Sequence, residues 1–333
     1  MSGPDLDDTL IEAAAATLRD GGLVGFPTET VYGLGGDATN AEAVAAIFAA
    51  KGRPRFDPII VHLADSTQLE SVTPGLPPLA ESLAEAFWPG PLTLVLTRKD
   101  AIPAIVSAGL PTVGVRVPDH PIARRLIEAA GCPVAAPSAN RFGCISPTTA
   151  EHVRSQFGDR IEMVLDGGPC RVGVESSVVD LTGPLPRLLR PGGVTLEQLH
   201  DVVGPVEVHH GVQPPDQAAV SPGLLARHYA PSTPLELVDS IDPAPAPRSG
   251  LLTLTRPESP EGWSRVEVLS ESEDLVEATA GFFAALHRLD AAGLERTVAV
   301  RLPETGLGVA LNNRLQRAEA HERPGSDPPA ADP

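Results

Sequence analysis

The sequence is poor in several residue types, and each shortage excludes a class of protein. Three cysteines, Cys132, Cys144 and Cys170, form no CxxC pair and are odd in number, which argues against a disulfide framework or a structural zinc site. No apolar stretch approaches the roughly 20 residues of a membrane-spanning helix, and the acidic, amphipathic start is unlike a signal peptide. We therefore expect a cytoplasmic protein with reduced thiols and no membrane partner.

Positive charge is also scarce. The chain has 25 basic residues, of which only Lys51 and Lys99 are lysines, against 43 acidic residues, and its formal charge is -18. This balance argues against broad, nonspecific binding to nucleic acid phosphates, although a local basic groove remains compatible with it.

Three motifs that would identify a class of enzyme are missing. The sequence contains no GxxxxGK[ST] phosphate loop, no GxSxG nucleophile elbow and no HExxH metalloprotease helix. An ATP site in this chain must therefore be of another type.

The pattern of the chain predicts two domains. With 333 residues, 42% of them apolar, the chain is long enough for two cores. Alternating strand-like and helical segments predict an α/β catalytic domain over residues 1–202 and a smaller α/β domain over 233–320. Periodicity fails over 203–232, which predicts a linker, and the tail at 321–333 has the composition of a disordered segment.

The predicted strands of the first domain lie at 23–26, 58–63, 92–97, 112–117, 134–135, 163–166, 177–181 and 187–189. Its predicted helices lie at 6–19, 41–50, 77–87, 121–130 and 149–157. In the second domain the predicted strands lie at 235–238, 250–254 and 297–301, and the predicted helices at 275–292 and 308–319.

A polar segment follows the first predicted strand. Residues 26–35 read FPTETVYGLG, and we interpret them as a strand-to-helix connection that projects hydroxyls and a carboxylate into a crevice. Gly33, Gly35 and Ala38 also fit a loose dinucleotide fingerprint, with Asp57 about 20 residues further on. An ordinary turn before a helix explains the same residues.

Three cations, Lys51, Arg53 and Arg55, lie within five residues just past a predicted helix end. Such a cluster suits a triphosphate, because cations neutralise the charge that moves onto the leaving pyrophosphate. Basic residues at a helix C-terminus also simply complement the helix dipole.

Two polar residues interrupt apolar strands. His62, in PIIVHL, is typical of a core histidine. Arg116, in TVGVRVP, is costly to bury without an anion, so either a ligand carboxylate or phosphate or a structural ion pair must accompany it. Thr112 precedes Arg116 by four residues, and along a strand we expect the two to face the same side.

Further polar residues follow predicted strands. Ser138 and Ser146 lie in hydroxyl-rich loops, Ser176 precedes a strand, and Arg190 ends one. Each of them has a structural explanation as a turn or helix cap, but their shared position at strand ends favours a common site.

Taken in order, these segments resemble the YrdC-like family of threonylcarbamoyl-AMP synthases over about residues 9 to 200. The matching pieces are FPTETVYGLG, KGRP with DPIIVH, FWPGPLTLVL, TVGVRVP, PSAN with SPT, LDGGP with GVESSVVDL, and RLLRPGG. SPGLLARHYAPSTPL and GLGVALNNRLQRA resemble the linker and C-terminal domain of the long form. The resemblance implies a twisted mixed sheet with flanking helices, followed by a smaller Rossmann-like α/β domain.

The resemblance also implies an activity. L-threonine, bicarbonate and ATP, with Mg²⁺, would give threonylcarbamoyl-AMP and pyrophosphate, and a separate transferase complex would pass the threonylcarbamoyl group to tRNA. The threonine residues implied are Thr30, His62, Arg116, the Ala136 backbone and Ser176. The ATP residues implied are Arg53, Asp57, Thr112, Ser138, Ser146, Arg190 and the linker's Tyr229. Lys51 and Arg53 would neutralise charge during catalysis, and no metal ligands are implied.

Two alternative functions remain compatible with the sequence. One is a non-catalytic module for double-stranded RNA, against which the acidity of the chain counts, and weak tRNA binding is compatible with either reading. The other is a carbamoyltransferase that uses carbamoyl phosphate, like hydrogenase maturation proteins, whose acylphosphatase and zinc-finger regions this sequence lacks.

Overall fold

The computed structural model describes residues 7–209, 221, 228–241 and 247–319. The predicted disordered tail and most of the predicted linker lie outside the described residues. The domain boundaries stay predictions.

The first part of the chain, which we call the N-terminal unit, alternates short strands and helices. Its strands are β1 (Val24–Phe26), β2 (Gly33–Asp37), β3 (Val61–His62), β4 (Leu92–Thr97), β5 (Thr112–Arg116), β6 (Val134–Ala135), β7 (Met163–Val164), β8 (Ser177–Asp180), β9 (Arg187–Arg190) and β10 (Glu207–Val208). Its helices are α1 (Asp8–Arg19), α2 (Ala41–Lys51), α3 (Leu69–Val72), α4 (Pro78–Phe87), α5 (Pro121–Ala130), α6 (Ala150–Phe157) and α7 (Leu196–Val203).

Within the described residues these strands form one mixed sheet in the order β10-β9-β8-β4-β5-β3-β6-β2-β1-β7. The sheet contains parallel pairs, such as β3 with β5 and β4 with β8, and antiparallel pairs, such as β4 with β5. Apolar helices cover both faces: Val134 packs with α1 and α5, and its neighbour Ala135 packs with α2 and α4, because successive strand residues point to opposite faces.

The second part of the chain, the C-terminal unit, holds β11 (Leu235–Val238), β12 (Ser249–Thr253), β13 (Arg265–Val268), α8 (Leu275–Asp290), β14 (Arg296–Val300) and α9 (Leu307–Glu319). Its strands are all parallel, in the order β11-β14-β12-β13. The predicted fold class, an α/β mixed sheet followed by a smaller α/β unit, is confirmed.

The core of the C-terminal unit is not confined to that unit. Phe282, Phe283 and Leu311 pack in one apolar cluster with Val31, Ile145 and Tyr229. Residues next to the predicted site are therefore part of the same core as α8 and α9.

The interpretation of the glycine-rich segment after β1 is wrong. We expected residues 26–35 to connect a strand to a helix, but Gly33–Asp37 is β2, paired with β1 and β6. A side chain at Gly35 would lie 2.8 Å from both Phe26 and Val134, so the glycine permits close packing between strands. The glycines are thus not a dinucleotide loop.

Among the described residues, no helix is both long and apolar enough to cross a membrane.

Candidate functional site

A buried cavity lies where the loops after β1, β3 and β6 meet the segments that flank β8 and β9. Its lining residues are Thr28, Thr30, Val31, Gly33, Arg53, Ile60, His62, Arg116, Ala136, Pro137, Ser138, Glu175, Ser176, Arg190, His228 and Tyr229. Its volume is about 50 Å³, far below the roughly 300 Å³ at which small-molecule sites begin. With His228 and Tyr229 in place, the cavity is too small for a nucleotide.

One end of the cavity is organised by threonine hydroxyls. Thr28 Oγ1 accepts from the backbone N–H groups of Thr30 and Val31 at 3.1 and 3.3 Å and donates to the Val31 carbonyl at 2.6 Å. The Thr30 hydroxyl lies 2.7 Å from Thr28 Oγ1. This turn holds the Thr30 hydroxyl at the cavity wall.

Arg116 lies beside that turn, at the end of β5. Its Nη1 donates to Thr30 Oγ1 at 3.0 Å, its Nε donates to the Gly90 carbonyl at 3.1 Å, and its Nη2 pairs with the carboxylate of Glu29. A guanidinium carries five N–H groups, so two remain after these contacts. Arg116 therefore has both a structural ion pair and donors left for a ligand that enters the cavity.

His62 lines the same end from β3. Burial, together with the nearby Arg116 charge, lowers the pKa of His62 to about 3, so the ring is neutral near pH 7. Its Nδ1 lies 3.3 Å from the Ile60 carbonyl, which accepts a hydrogen bond in the tautomer that carries the proton on Nδ1. A neutral ring suits hydrogen bonding rather than anion binding.

The other end of the cavity is cationic. Gly52 ends α2 in a left-handed conformation with a φ of 63° and turns the chain back, as helix C-caps commonly do. Arg53 then forms a buried ion pair with Asp57, 2.9 Å between Nη2 and Oδ2, and donates to the Pro58 carbonyl at 2.7 Å. This holds its guanidinium at the cavity.

Arg190, at the end of β9, completes the cationic end. Its Nη2 donates to the Ser176 carbonyl at 2.8 Å, and the Ser176 hydroxyl lies 2.8 Å from that of Thr93. The close crossing of two segments makes this contact possible, because a Cβ at Gly192 would lie 2.3 Å from the Glu175 carbonyl oxygen.

Buried ionisable groups gather around the cavity. Among the described residues, the buried basic side chains that line it or contact its lining are Lys51, Arg53, Arg116, Arg190 and Arg314, and the buried carboxylates beside them are Glu29, Asp57 and Glu175. Buried charge is costly unless it is paired or hydrogen-bonded. The guanidinium groups of Arg53, Arg116 and Arg190 in the cavity lining therefore fit an anionic ligand.

Four predicted residues lie outside the cavity lining, namely Lys51, Asp57, Ser146 and Thr112. Lys51 Nζ donates to the carbonyl of Ser138 at 2.6 Å and to that of Asn140, so it holds the loop after β6. Burial is the main cause, and the nearby Arg53 charge the second, that lowers the pKa of Lys51. The carboxylate of Asp57 pairs with Arg53. Ser146 donates to Glu175 at 2.6 Å. The roles assigned to these residues stay predictions.

Thr112 lies apart from the other predicted residues, and its assignment to ATP stays a prediction. It lines a different, smaller cavity together with Pro58 and Ser107, whereas Arg116 lines the main one. Four residues of strand span about 13 Å, so two side chains on one face need not reach the same site.

The other predicted residues are brought together. The cavity lining includes Thr30, Arg53, His62, Arg116, Ala136, Ser138, Ser176, Arg190 and Tyr229.

Sequence reasoning missed three ionisable residues that the structure places at the site. Glu175 and His228 line the cavity, and Arg314 of α9 contacts both Glu175 and Tyr229. Each of them lies in a segment that carries the family resemblance, GVESSVVDL, HYAP or GLGVALNNRLQRA, which was the available signal.

Comparison with known proteins bears on the whole chain. A family model described as telomere recombination, the Sua5–YciO–YrdC model, matches residues 16–192, and one described as threonylcarbamoyl-AMP synthase, C-terminal domain, matches residues 194–320. The threonylcarbamoyl-AMP synthase of Bacillus subtilis is 43% identical over 330 residues, covering 94% of this chain and 93% of the relative. The chain belongs to the threonylcarbamoyl-AMP synthase family. The member from Schizosaccharomyces pombe is 35% identical and covers 95% of this chain and 89% of its own.

Solved structures agree with this membership. The crystal structure of Pyrococcus abyssi Sua5 complexed with L-threonine is 41% identical, with a TM-score of 0.87, and covers 95% of this chain and 96% of that one. Escherichia coli YciO, 24% identical with a TM-score of 0.51, shares the fold over 57% of this chain. The two-unit architecture is therefore that of this synthase family.

Proposed function

We propose that this protein joins L-threonine, bicarbonate and ATP into L-threonylcarbamoyl-AMP and releases pyrophosphate. The observation that carries the proposal is the cavity itself, which has a hydroxyl-rich end at Thr30 and Arg116 and a cationic end at Arg53 and Arg190. The guanidinium groups at its two ends fit a carboxylate and a polyphosphate side by side. Membership of the synthase family and the threonine complex of the Pyrococcus relative support the same conclusion.

At the threonine end, the two remaining N–H groups of Arg116 would clamp the carboxylate as a bidentate pair. The hydroxyl of threonine would lie near Thr30 and neutral His62, and the Ala136 backbone and Ser176 would complete the wall. Serine keeps this hydroxyl and lacks the methyl group, and one missing methyl is worth about 1–3 kcal/mol in an apolar pocket, so serine should be a poorer substrate where Val31 and Ile60 line the wall.

At the nucleotide end, a carbamate formed from the threonine amine and carbon dioxide would attack the α-phosphorus of ATP. A carbamate is already anionic, so the step requires alignment and charge neutralisation rather than a strong general base. Arg53 and Arg190 would neutralise the charge that moves onto pyrophosphate. Lys51 would act through the loop of Ser138 that it holds.

Mg²⁺ would enter with ATP as part of the substrate. Among the residues that the structure describes, no group of three or more His, Cys, Asp or Glu side chains is placed to hold a metal ion. Phosphate oxygens and water would supply most of the ligands of that ion, as is usual for Mg²⁺ bound with a nucleotide.

Tyr229 and His228 would serve as a roof that opens to admit ATP. Tyr229 has a φ of 65°, a strained conformation for a tyrosine that costs of the order of 1–3 kcal/mol, and the cavity is too small while the roof is down. Closure over the nucleotide would protect a hydrolysable product. A chain shortened to end before Ser221 should then lose more of the adenylate to solution than the full chain, and equal retention would exclude the roof.

The product would pass to a separate transferase complex that modifies adenosine in tRNA, with tRNA binding to this protein itself weak, and we place the reaction in the cytoplasm. The acidic composition of the chain supports transfer through a partner rather than tight tRNA binding.

The direct test measures pyrophosphate release from ATP with Mg²⁺ and bicarbonate in the presence of L-threonine, L-serine or no amino acid. The adenylate is detected by mass in the same reactions. Threonine-dependent pyrophosphate together with the threonylcarbamoyl-AMP mass is the expected result. If folded protein gives neither signal, the synthase proposal fails and binding of double-stranded RNA or use of carbamoyl phosphate becomes the better hypothesis.

A further inference from the structure

Arg314, on α9 of the C-terminal unit, is fully buried at the boundary with the N-terminal unit. Its Nε donates to Glu175 Oε2 at 2.9 Å, and its Nη1 donates to the side chain of Asn313 at 2.9 Å. Among the described residues its Nη2 has no hydrogen-bond partner. A buried guanidinium with one unused nitrogen is costly, so its position is not explained by packing alone.

Glu175 connects Arg314 to the nucleotide end of the cavity. Its Oε1 accepts from the hydroxyl of Ser146 at 2.6 Å while its Oε2 accepts from Arg314. Burial by itself would raise the pKa of Glu175, but the charges of Arg314 and Arg190 and the Ser146 hydrogen bond outweigh it and lower that pKa. The carboxylate is therefore ionised and accepts on both oxygens at once.

The same guanidinium also supports the roof. Its Cζ lies 5.1 Å from the centroid of the Tyr229 ring, within range of a cation–π interaction. Phe283 of α8 lies 5.7 Å from the same ring. Arg314 therefore contacts one residue of the cavity wall and one of its roof.

A second contact from the C-terminal unit reaches the same place. His287 of α8 approaches the Ser146 carbonyl, 3.1 Å from its Nε2, and its ring stacks on that of His152 at 3.8 Å between centroids. Ser146 is thus held through its backbone by α8 and, by way of Glu175, through its hydroxyl by α9.

From these contacts we propose that Arg314 is a positioning residue for ATP, through which the C-terminal unit orders Glu175 and Ser146 at the nucleotide end of the site. The inference rests on the proposed function, since it assumes that this end takes ATP. Arg314 contacts none of Thr30, His62 and Arg116, so its effect should be confined to the nucleotide. A purely structural ion pair between the two units would instead affect both ligands alike or neither.

The test compares Arg314→Lys, Glu175→Gln and the double variant with wild type. Calorimetry measures the Kd of Mg²⁺–ATP and of L-threonine separately, and thermal unfolding checks that each variant is folded. Leaving a buried hydrogen-bonding group unsatisfied should raise the Kd of ATP about tenfold or more in each single variant and change that of threonine less than about threefold. The Kd of ATP in the double variant should be no higher than in the single variant that binds ATP more weakly, because both substitutions break the same contact.

Arg301→Lys is the matched control. Arg301 also pairs with a carboxylate of the C-terminal unit, Asp239 at 2.9 Å, but in a partly exposed ion pair at the end of β14, and this substitution should change neither Kd. The proposal is overturned if folded Arg314→Lys binds ATP like wild type, if both ligands weaken equally, or if the double variant loses the sum of the two single effects.

Failure of the proposed function would look different. Wild-type protein that binds ATP but makes no adenylate would refute the synthase while the Arg314 comparison still stands on the ATP Kd. Wild-type protein that binds no ATP would refute both.

Discussion

Arg116→Lys tests the threonine end of the cavity because it keeps the positive charge and removes the planar fork. In the structure, three of the five N–H groups of Arg116 are engaged by Gly90, Thr30 and Glu29. The two that remain equal in number the two oxygens of a carboxylate, which arginine commonly binds as a bidentate pair. A lysine ammonium has only three donors, and the three existing contacts would use all of them.

The expected loss of threonine affinity follows from this number of hydrogen-bond donors. Hydrogen bonds to charged groups contribute about 1.5–3 kcal/mol, so losing the bidentate clamp should raise the Kd of L-threonine roughly 10- to 150-fold. The Kd of ATP should change little, since Arg53 and Arg190 at the other end are untouched. The ion pair with Glu29 would persist, so the protein should remain folded.

Titration calorimetry with L-threonine measures the effect, and thermal unfolding reports the fold. Arg98→Lys is the matched control, because Arg98 is half-buried and donates to the carbonyls of Leu110, Lys99 and Ile102, away from the cavity. The reasoning is refuted if folded Arg116→Lys binds threonine within about threefold of wild type, or if Arg98→Lys weakens threonine binding as much.

Two further predictions concern stability. The pKa of His62 is about 3 in the folded protein, against about 6.5 when unfolded; the unfolded chain therefore takes up a proton first, and stability should fall as the pH drops below about 6.5. Thermal unfolding near pH 5.5 and pH 7.5 should show this fall, and His62→Gln should reduce it; an unchanged pH dependence would refute the assignment. Gly192→Ala should lower the unfolding temperature by several degrees and weaken ATP binding, because the added Cβ would lie 2.3 Å from the backbone carbonyl oxygen of Glu175. Gly281→Ala, with nothing within 4 Å in α8, should instead stabilise by about 0.5–1 kcal/mol, and calorimetry that reverses this order would contradict both.

Much of the fold was predictable because the signals are local. The strand at 92–97 and the helix at 121–130 were predicted with the bounds that the structure has. The strand is an apolar run between a turn with two prolines and a charged segment, and the helix begins at Pro121 and is capped at its C-terminal end by Gly131, whose φ is 68°. Such signals need no knowledge of distant residues.

The error at β2 has the opposite cause. Gly33, Gly35 and Gly36 lack strand propensity and suggested a turn, but the segment is a strand because β1 and β6 pair with it on both sides. Those partners lie at other points along the chain, so propensity was overridden by tertiary packing.

The features of the candidate site also separate into those that the sequence predicts and those that depend on tertiary packing. The sequence by itself determined the order of the polar segments and, through the family resemblance, which residues to examine. Only the tertiary structure decided that Arg116 has both an ion pair and spare donors, that Thr112 lines another cavity, and that Arg314 reaches Glu175 from 139 residues away along the chain. The physical reason is that periodicity and capping depend on neighbours in sequence, whereas the cavity that a side chain lines depends on which distant strands and helices pack together.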